Sequence, residues 1–66
     1  MDLDNDPFAL ARTQTNLAAL FITSNQLIDA QELLKSAENI QRKIGDRVGL
    51  AATMHNEHVL GRKIVN

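Results

Sequence analysis

Two histidines are the side chains of this sequence best suited to chemistry. His55 and His58 lie three positions apart, so on a helix they share one face and could offer two ligands to a metal ion. A metal site also needs further ligands and groups that orient them. We therefore favour two partly exposed helix histidines over a metal site, and we predict no metal and no cofactor.

The acidic residues at the start of the chain resemble half of a calcium-binding loop. Asp2, Asp4 and Asp6 alternate as the first ligands of such a loop do. The loop also needs a glycine at its sixth position and an acidic residue at its twelfth, which here is Thr13. We interpret residues 1–6 as an acidic N-terminal tail.

The residue types that most enzymes need are missing. The chain has no cysteine, which excludes a thiol nucleophile, a disulfide and a cysteine-ligated zinc. It contains neither a glycine-rich phosphate loop nor the Gly-x-Ser-x-Gly or His-Glu-x-x-His pattern. We predict no catalytic residues and a protein that is not an enzyme.

Charge and hydropathy also remove several kinds of partner. Seven Lys and Arg residues stand against eight Asp and Glu residues, and the only aromatic side chains are two phenylalanines. Such a chain has no basic excess to neutralise phosphates and little aromatic surface to stack on bases. No apolar run approaches the ~18 residues of a membrane span, and the acidic start is unlike a secretory signal. We expect no nucleic-acid partner, no membrane partner and a cytoplasmic location.

The first helix is predicted by the order of Asp6 and Pro7. Asp accepts a hydrogen bond from a free backbone N–H at a helix start, and proline at the first helical position has none to leave unpaired. The apolar segment after them predicts a helix over about 7–24. It ends where Ser24 and Asn25 favour a cap, with Asn25 suited to a left-handed turn.

The second helix is predicted over 27–44 by a stripe of apolar residues at helical spacing. The stripe comprises Ala30, Leu33, Ala37, Ile40 and Ile44. Acidic residues come early in this segment and basic residues late, as the helix dipole favours. Gly45 follows where a helix end calls for a left-handed residue.

A third helix is predicted within the segment 46–66. Asp46 can cap its start, and it is expected to run from Arg47 to about Lys63. No alternating segment or hairpin turn predicts a strand. The expected fold is therefore all-α, with a helix-turn-helix hairpin and a third helix.

An internal repeat relates the first helix to the third. Aligning 6–16 with 46–56 gives five identities at a period of 40 residues. The identical pairs are Asp6/Asp46, Leu10/Leu50, Ala11/Ala51, Thr13/Thr53 and Asn16/Asn56. A fixed period of this length is typical of a helical solenoid.

At these residues the sequence resembles the tetratricopeptide repeat family, in its form with repeats of about 40 residues. The matching residues are Leu17, Ala18, Phe21, Ala30, Leu34 and Ala37. The segment Gly45-Asp46-Arg47-Val48-Gly49-Leu50-Ala51 is similar to the junction between two long repeats. The resemblance implies that the small residues lie at helix crossings and that Leu17, Phe21 and Leu34 fill the spaces beside them.

Five positions depart from the family pattern. Gln14 stands where an aromatic residue is favoured, and Glu38 where a leucine is expected. In the third helix, the positions equivalent to Leu17, Ala18 and Phe21 are occupied by Glu57, His58 and Gly61. The third helix is therefore either part of a decayed repeat or a polar cap at the end of a solenoid.

The resemblance implies a protein–protein interaction module that acts by helix packing or by binding a peptide. In the family the first helix of each repeat lines the inner groove. The groove candidates are Arg12, Thr15, Asn16, Ala19 and Thr23 in the first helix and Ala52, His55, Asn56, Val59 and Lys63 in the third.

The alternative is a small helical homodimer that serves as a structural element, a chaperone or an antitoxin-like partner of a larger protein. A chain of 66 residues buries only ~60% of its unfolded surface, so association is expected to help stabilise it. The third helix would place Val48, Ala51, Met54 and Val59 on its apolar side. The residues expected to lack a partner within the chain, and hence to self-associate, are Leu50, Leu60, Ile64 and Val65.

Overall fold

Three helices form the structure, a computed structural model that describes residues 5–65. They are α1 (Pro7–Thr23), α2 (Leu27–Ile44) and α3 (Arg47–Val65). No strand occurs in this part of the chain, so the all-α prediction is confirmed. The first helix ends one residue earlier than expected and the third runs two residues further. Most of the predicted acidic tail, with Asp2 and Asp4, lies outside the described residues.

Carboxylate caps start α1 and α3. The Asp6 side chain accepts a hydrogen bond from the backbone N–H of Ala9 at 3.0 Å, with Pro7 at the first helical position. The Oδ1 atom of Asp46 accepts one from the backbone N–H of Gly49 at 2.9 Å. Both predicted caps are confirmed, because this geometry depends only on residues close in sequence.

Left-handed residues make both turns between the helices. Asn25 has a φ of 64° and Gly45 a φ of 70°, as their residue types predict. A hydrogen bond from α3 also stabilises the end of α1, because the Lys63 ammonium donates to the carbonyl of Ile22 at 3.3 Å. A cation there also compensates the negative end of the helix dipole.

The hydrophobic core lies where the end of α1, the start of α2 and the end of α3 meet. It consists of Ala18, Ile22, Ala30, Leu34 and Leu60. Phe21, Leu27, Leu33 and Val59 pack against it. Ala18, Ala30, Leu34 and Ala37 are fully buried. The family resemblance implies burial of these residues.

Three expectations about packing are wrong. Leu60 was expected to lack a partner within the chain, but it is 4% exposed and belongs to the core. Leu17 was expected to fill space beside a helix crossing, but it is 39% exposed. Val48 and Met54 were expected on the packed side of α3, but Val48 is 84% exposed and Met54 is also exposed. The cause is that α3 packs through Thr53 and Leu60, a face that its apolar pattern does not mark.

Among residues 5–65, no helix combines the length and the apolar character that crossing a membrane requires.

The two left-handed turns predict opposite effects of substitution. Gly45→Val should lower the free energy of unfolding by about 1 kcal/mol or more, because a β-branched residue is strained at this φ. A Cβ at Gly45 would meet no atom within 4 Å, so the cost comes from the backbone alone. Asn25→Gly should be neutral or slightly stabilising. Urea denaturation measures both, and equal tolerance of the two changes would contradict the turn assignment.

Candidate functional site

A pocket of about 180 Å³ lies in the groove between α1 and α3, with α2 as its floor. Its walls are formed by Arg12, Thr15, Asn16, Gln41, Asp46, Val48, Gly49 and Ala52. Four of the ten predicted groove residues therefore meet at one site, namely Arg12, Thr15, Asn16 and Ala52. Arg12 and Asp46 bring one charge of each sign to its walls.

The other six predicted groove residues do not line this pocket. Val59 packs against the core, and Lys63 is bound to the end of α1. The Thr23 hydroxyl donates to the carbonyl of Ala19 within its own helix at 3.1 Å. His55 is exposed and Asn56 is half-buried. The pocket lies where the middle of α1 faces the first turns of α3.

A chain of buried polar groups joins the three helices beneath the pocket. The hydroxyls of Thr15 and Thr53 are 2.9 Å apart, and the Thr53 hydroxyl donates to Gln41 Oε1 at 2.6 Å. Thr15 also lies 3.0 Å from the carbonyl of Ala11. All three side chains are buried, Gln41 at only 2% exposure. Buried polar groups satisfied in this way fix how helices align, because an unpaired group is costly.

Gln41 is the functional residue that sequence reasoning missed. The predicted stripe on α2 followed its apolar residues through Ile40 and Ile44, which are half-buried. The buried face instead runs through Ala30, Leu34, Ala37 and Gln41. The sequence contained a signal for this burial, because the helical spacing of four and three residues from Ala30 through Ala37 reaches Gln41 after one further turn.

Gly49 allows α3 to approach α2 closely at the pocket wall. A Cβ on Gly49 would collide with the Asp46 carboxylate and would lie 2.8 Å from Gln41 Nε2. Any other residue would push these groups apart. Steric crowding therefore explains why a glycine stands at this position of the predicted repeat junction.

A pair of carboxyl groups links α2 to α3 outside the groove. Glu38 and Glu57 share a side-chain hydrogen bond, and Arg42 donates from Nε to Glu38 at 3.0 Å. Burial, followed by the contact with Glu38, raises the pKa of Glu57. The hydrogen bond from Arg42 lowers the pKa of Glu38. Of the two carboxyl groups, Glu57 is therefore the one that takes up a proton first as the pH falls.

The residues predicted for self-association occupy different surroundings. Ile64 and Val65 are exposed at the end of α3, whereas Leu50 is half-buried and Leu60 is in the core. Gly61 lies beside them, and a Cβ there would meet no atom within 4 Å. Nothing within the described structure requires glycine at this position.

The histidines do not form part of a wider ligand cluster. His55 and His58 are both exposed on α3. Across residues 5–65, no three histidine or acidic side chains are grouped so that they could hold a metal ion.

Comparisons of the chain with protein-family models, with curated proteins and with solved structures found no match.

The buried polar chain predicts a large difference between two threonines that the internal repeat treats as equivalent. Thr53→Val should lower the free energy of unfolding by about 1–3 kcal/mol, because it leaves Gln41 Oε1 buried without a donor. Thr13→Val is the matched control, since Thr13 is exposed. Thermal unfolding compares the two variants, and similar small losses would show that the hydroxyl chain does not stabilise the fold.

The carboxyl pair predicts a stability that depends on pH. A raised pKa means that Glu57 contributes stability fully below its unfolded pKa of 4.5, and that this stability is lost as pH rises through the folded pKa. Glu57→Gln keeps a donor for Glu38 and cannot ionise. The variant should therefore be more stable than the wild type at pH 7, with the difference shrinking below pH 4.5. A constant difference in melting temperature between pH 3 and pH 7 would contradict the assignment.

Glu38→Gln is the control for this experiment. The lowered pKa of Glu38 means that its stability is present above 4.5 and is lost as pH falls through the folded pKa. Its substitution should therefore not stabilise the protein at pH 7. A stabilising effect of both substitutions would indicate general charge repulsion rather than opposite shifts of the two pKa values.

Proposed function

We propose that this protein is a non-enzymatic interaction module of the tetratricopeptide type, which holds a peptide segment of a partner protein in the groove between α1 and α3. The observation that carries the proposal is the pocket in that groove, where Arg12, Thr15 and Asn16 of the predicted binding set converge. A cytoplasmic location stays a prediction from the sequence.

The construction of the groove supports this function. Its floor is the buried chain from Thr15 through Thr53 to Gln41, which leaves little freedom for the walls to collapse. Its rim carries exposed polar side chains, Arg12 and Asn16, and the small residue Ala52 leaves the entrance open. A rigid concave surface with a few convergent polar groups is typical of binding sites.

Two adjacent alanines on α3 provide the test. Ala51 and Ala52 are both exposed, but only Ala52 lines the pocket. Peptides selected from a random display library on the wild-type protein should lose at least tenfold in affinity for Ala52→Arg and keep their affinity for Ala51→Arg. Titration calorimetry with the selected peptides measures this. Failure to select any peptide, or equal binding to both variants, would overturn the groove as a peptide site.

A homodimer is the second candidate, and the exposed end of α3 favours it. Ile64 is 55% exposed and Val65 is 85% exposed, and nothing in residues 5–65 requires the nearby Gly61 to be a glycine. Apolar surface on a small domain is commonly covered by a second copy. The glycine would allow another helix to approach closely.

The dimer predicts a stability that depends on protein concentration. The melting temperature should rise over a hundredfold range of concentration, because association stabilises only the folded state. Ile64→Glu should abolish this rise, whereas Ile28→Glu, at a still more exposed isoleucine on α2, should preserve it. A monomer in sedimentation equilibrium at micromolar concentration, with a melting temperature unchanged by dilution, would exclude the dimer.

A further inference from the structure

We propose that the pocket between α1 and α3 binds a carboxamide group, the side chain of an asparagine or glutamine in the partner's peptide. The proposal rests on the proposed function of the groove and specifies the chemistry that the groove recognises. It follows from the atoms of Gln41 and Asp46 that the fold leaves without a partner.

The hydrogens of the buried polar chain fix what Gln41 can still offer. The Thr53 hydroxyl gives its single hydrogen to Gln41 Oε1. The contact of 2.9 Å between Thr53 and Thr15 must then use the hydrogen of Thr15, which also lies near the carbonyl of Ala11. The carbonyl end of the Gln41 amide is therefore occupied, and its N–H₂ end remains a donor.

That donor is at the wall of the pocket. Gln41 Nε2 makes no hydrogen bond to any of residues 5–65 and lies beside Gly49, which also lines the pocket. Because Gln41 is 2% exposed, bulk water does not solvate the amide freely. The one fully buried side-chain atom without a hydrogen-bond partner in the described residues is Gln14 Oε1, so Gln41 Nε2 is the part of this amide that solvent reaches, and an acceptor entering the pocket would replace water there.

Asp46 supplies the complementary acceptor on the other side of Gly49. Its Oδ1 atom accepts a hydrogen bond from the backbone N–H of Gly49. Its Oδ2 atom and Gln41 Nε2 both lie close to the position that a Cβ on Gly49 would occupy. The pocket thus presents a donor and an acceptor side by side. A carboxamide carries the matching pair, because its carbonyl faces the donor and its N–H₂ group faces the carboxylate.

Charge and size select this group over its ionic relatives. A carboxylate would pair with Arg12 but would be repelled by Asp46, and an ammonium group would pair with Asp46 but offers no acceptor to the N–H groups of Gln41 and Arg12. One positive and one negative residue in the walls favour a neutral guest. The volume of about 180 Å³ suits a single side chain, since a cavity of about 150 Å³ accepts benzene.

Three small molecules of the same shape test the proposal on the full 66-residue chain. Propionamide, propionate and propylammonium are titrated at constant ionic strength into ¹⁵N-labelled protein. Propionamide should produce saturable shifts of the Gln41 side-chain N–H₂ signals and of the Gly49 amide, and the two ions should produce at least tenfold weaker binding. Equal or tighter binding of either ion would overturn the proposal. The same conclusion follows if none of the three produces shifts, because the pocket is then occupied by water alone.

Asp46→Asn is the matched variant. Asparagine also caps helices well, so its oxygen can keep the bond to the Gly49 N–H while its nitrogen replaces the Oδ2 acceptor. The melting temperature should change little, and propionamide affinity should fall at least tenfold. Unchanged affinity would overturn the role of Asp46. If propionamide fails while selected peptides still depend on Ala52, the groove function stands and only its carboxamide specificity is wrong.

Discussion

The hydroxyl of Thr53 is the group on which the arrangement of the three helices depends. It is fully buried and bonds to Gln41 in α2, and it touches Thr15 in α1. Apolar contacts alone would let α3 slide or rotate along the hairpin, since they are not directional. A buried hydrogen bond tolerates no such shift without leaving a polar atom unpaired. Leu60 and Lys63 hold the far end of α3, and this chain of hydrogen bonds fixes its alignment at the groove.

The local parts of the fold could be predicted from the sequence because their causes lie within a few residues. Asp6 and Asp46 cap helices, and Asn25 and Gly45 adopt left-handed turns. The packing of α3 could not be predicted, because it depends on residues far apart in sequence. The internal repeat equates Thr13 with Thr53, yet one is exposed and the other buried. Helix α3 meets its neighbours with a different face from the one that α1 uses.

Two of the five departures from the repeat pattern, Glu38 and Glu57, are explained by their contact with each other. Glu38 and Glu57 each stand where the family resemblance implies an apolar or small residue, and they hydrogen-bond to each other between α2 and α3. Sequence reasoning treated them as two separate losses, since nothing in a single sequence shows that positions 38 and 57 meet. Arg42 then completes the group by holding the charge on Glu38. A polar contact thus replaces an apolar one at this side of α3.

The pocket lies beside two places where α3 is held close to its neighbours. Gly49 lets the start of α3 lie close to Gln41, while the contact between Thr15 and Thr53 holds α3 and α1 together one turn further on. Between these two fixed points the side chains facing the groove are short or turned outward, as Ala52 and Val48 are. Space therefore remains above Gln41 that the chain does not fill itself. The amide nitrogen of Gln41 makes no hydrogen bond to residues 5–65, and under the carboxamide proposal an incoming group pairs with it and extends the hydrogen-bonded chain that begins at Thr15.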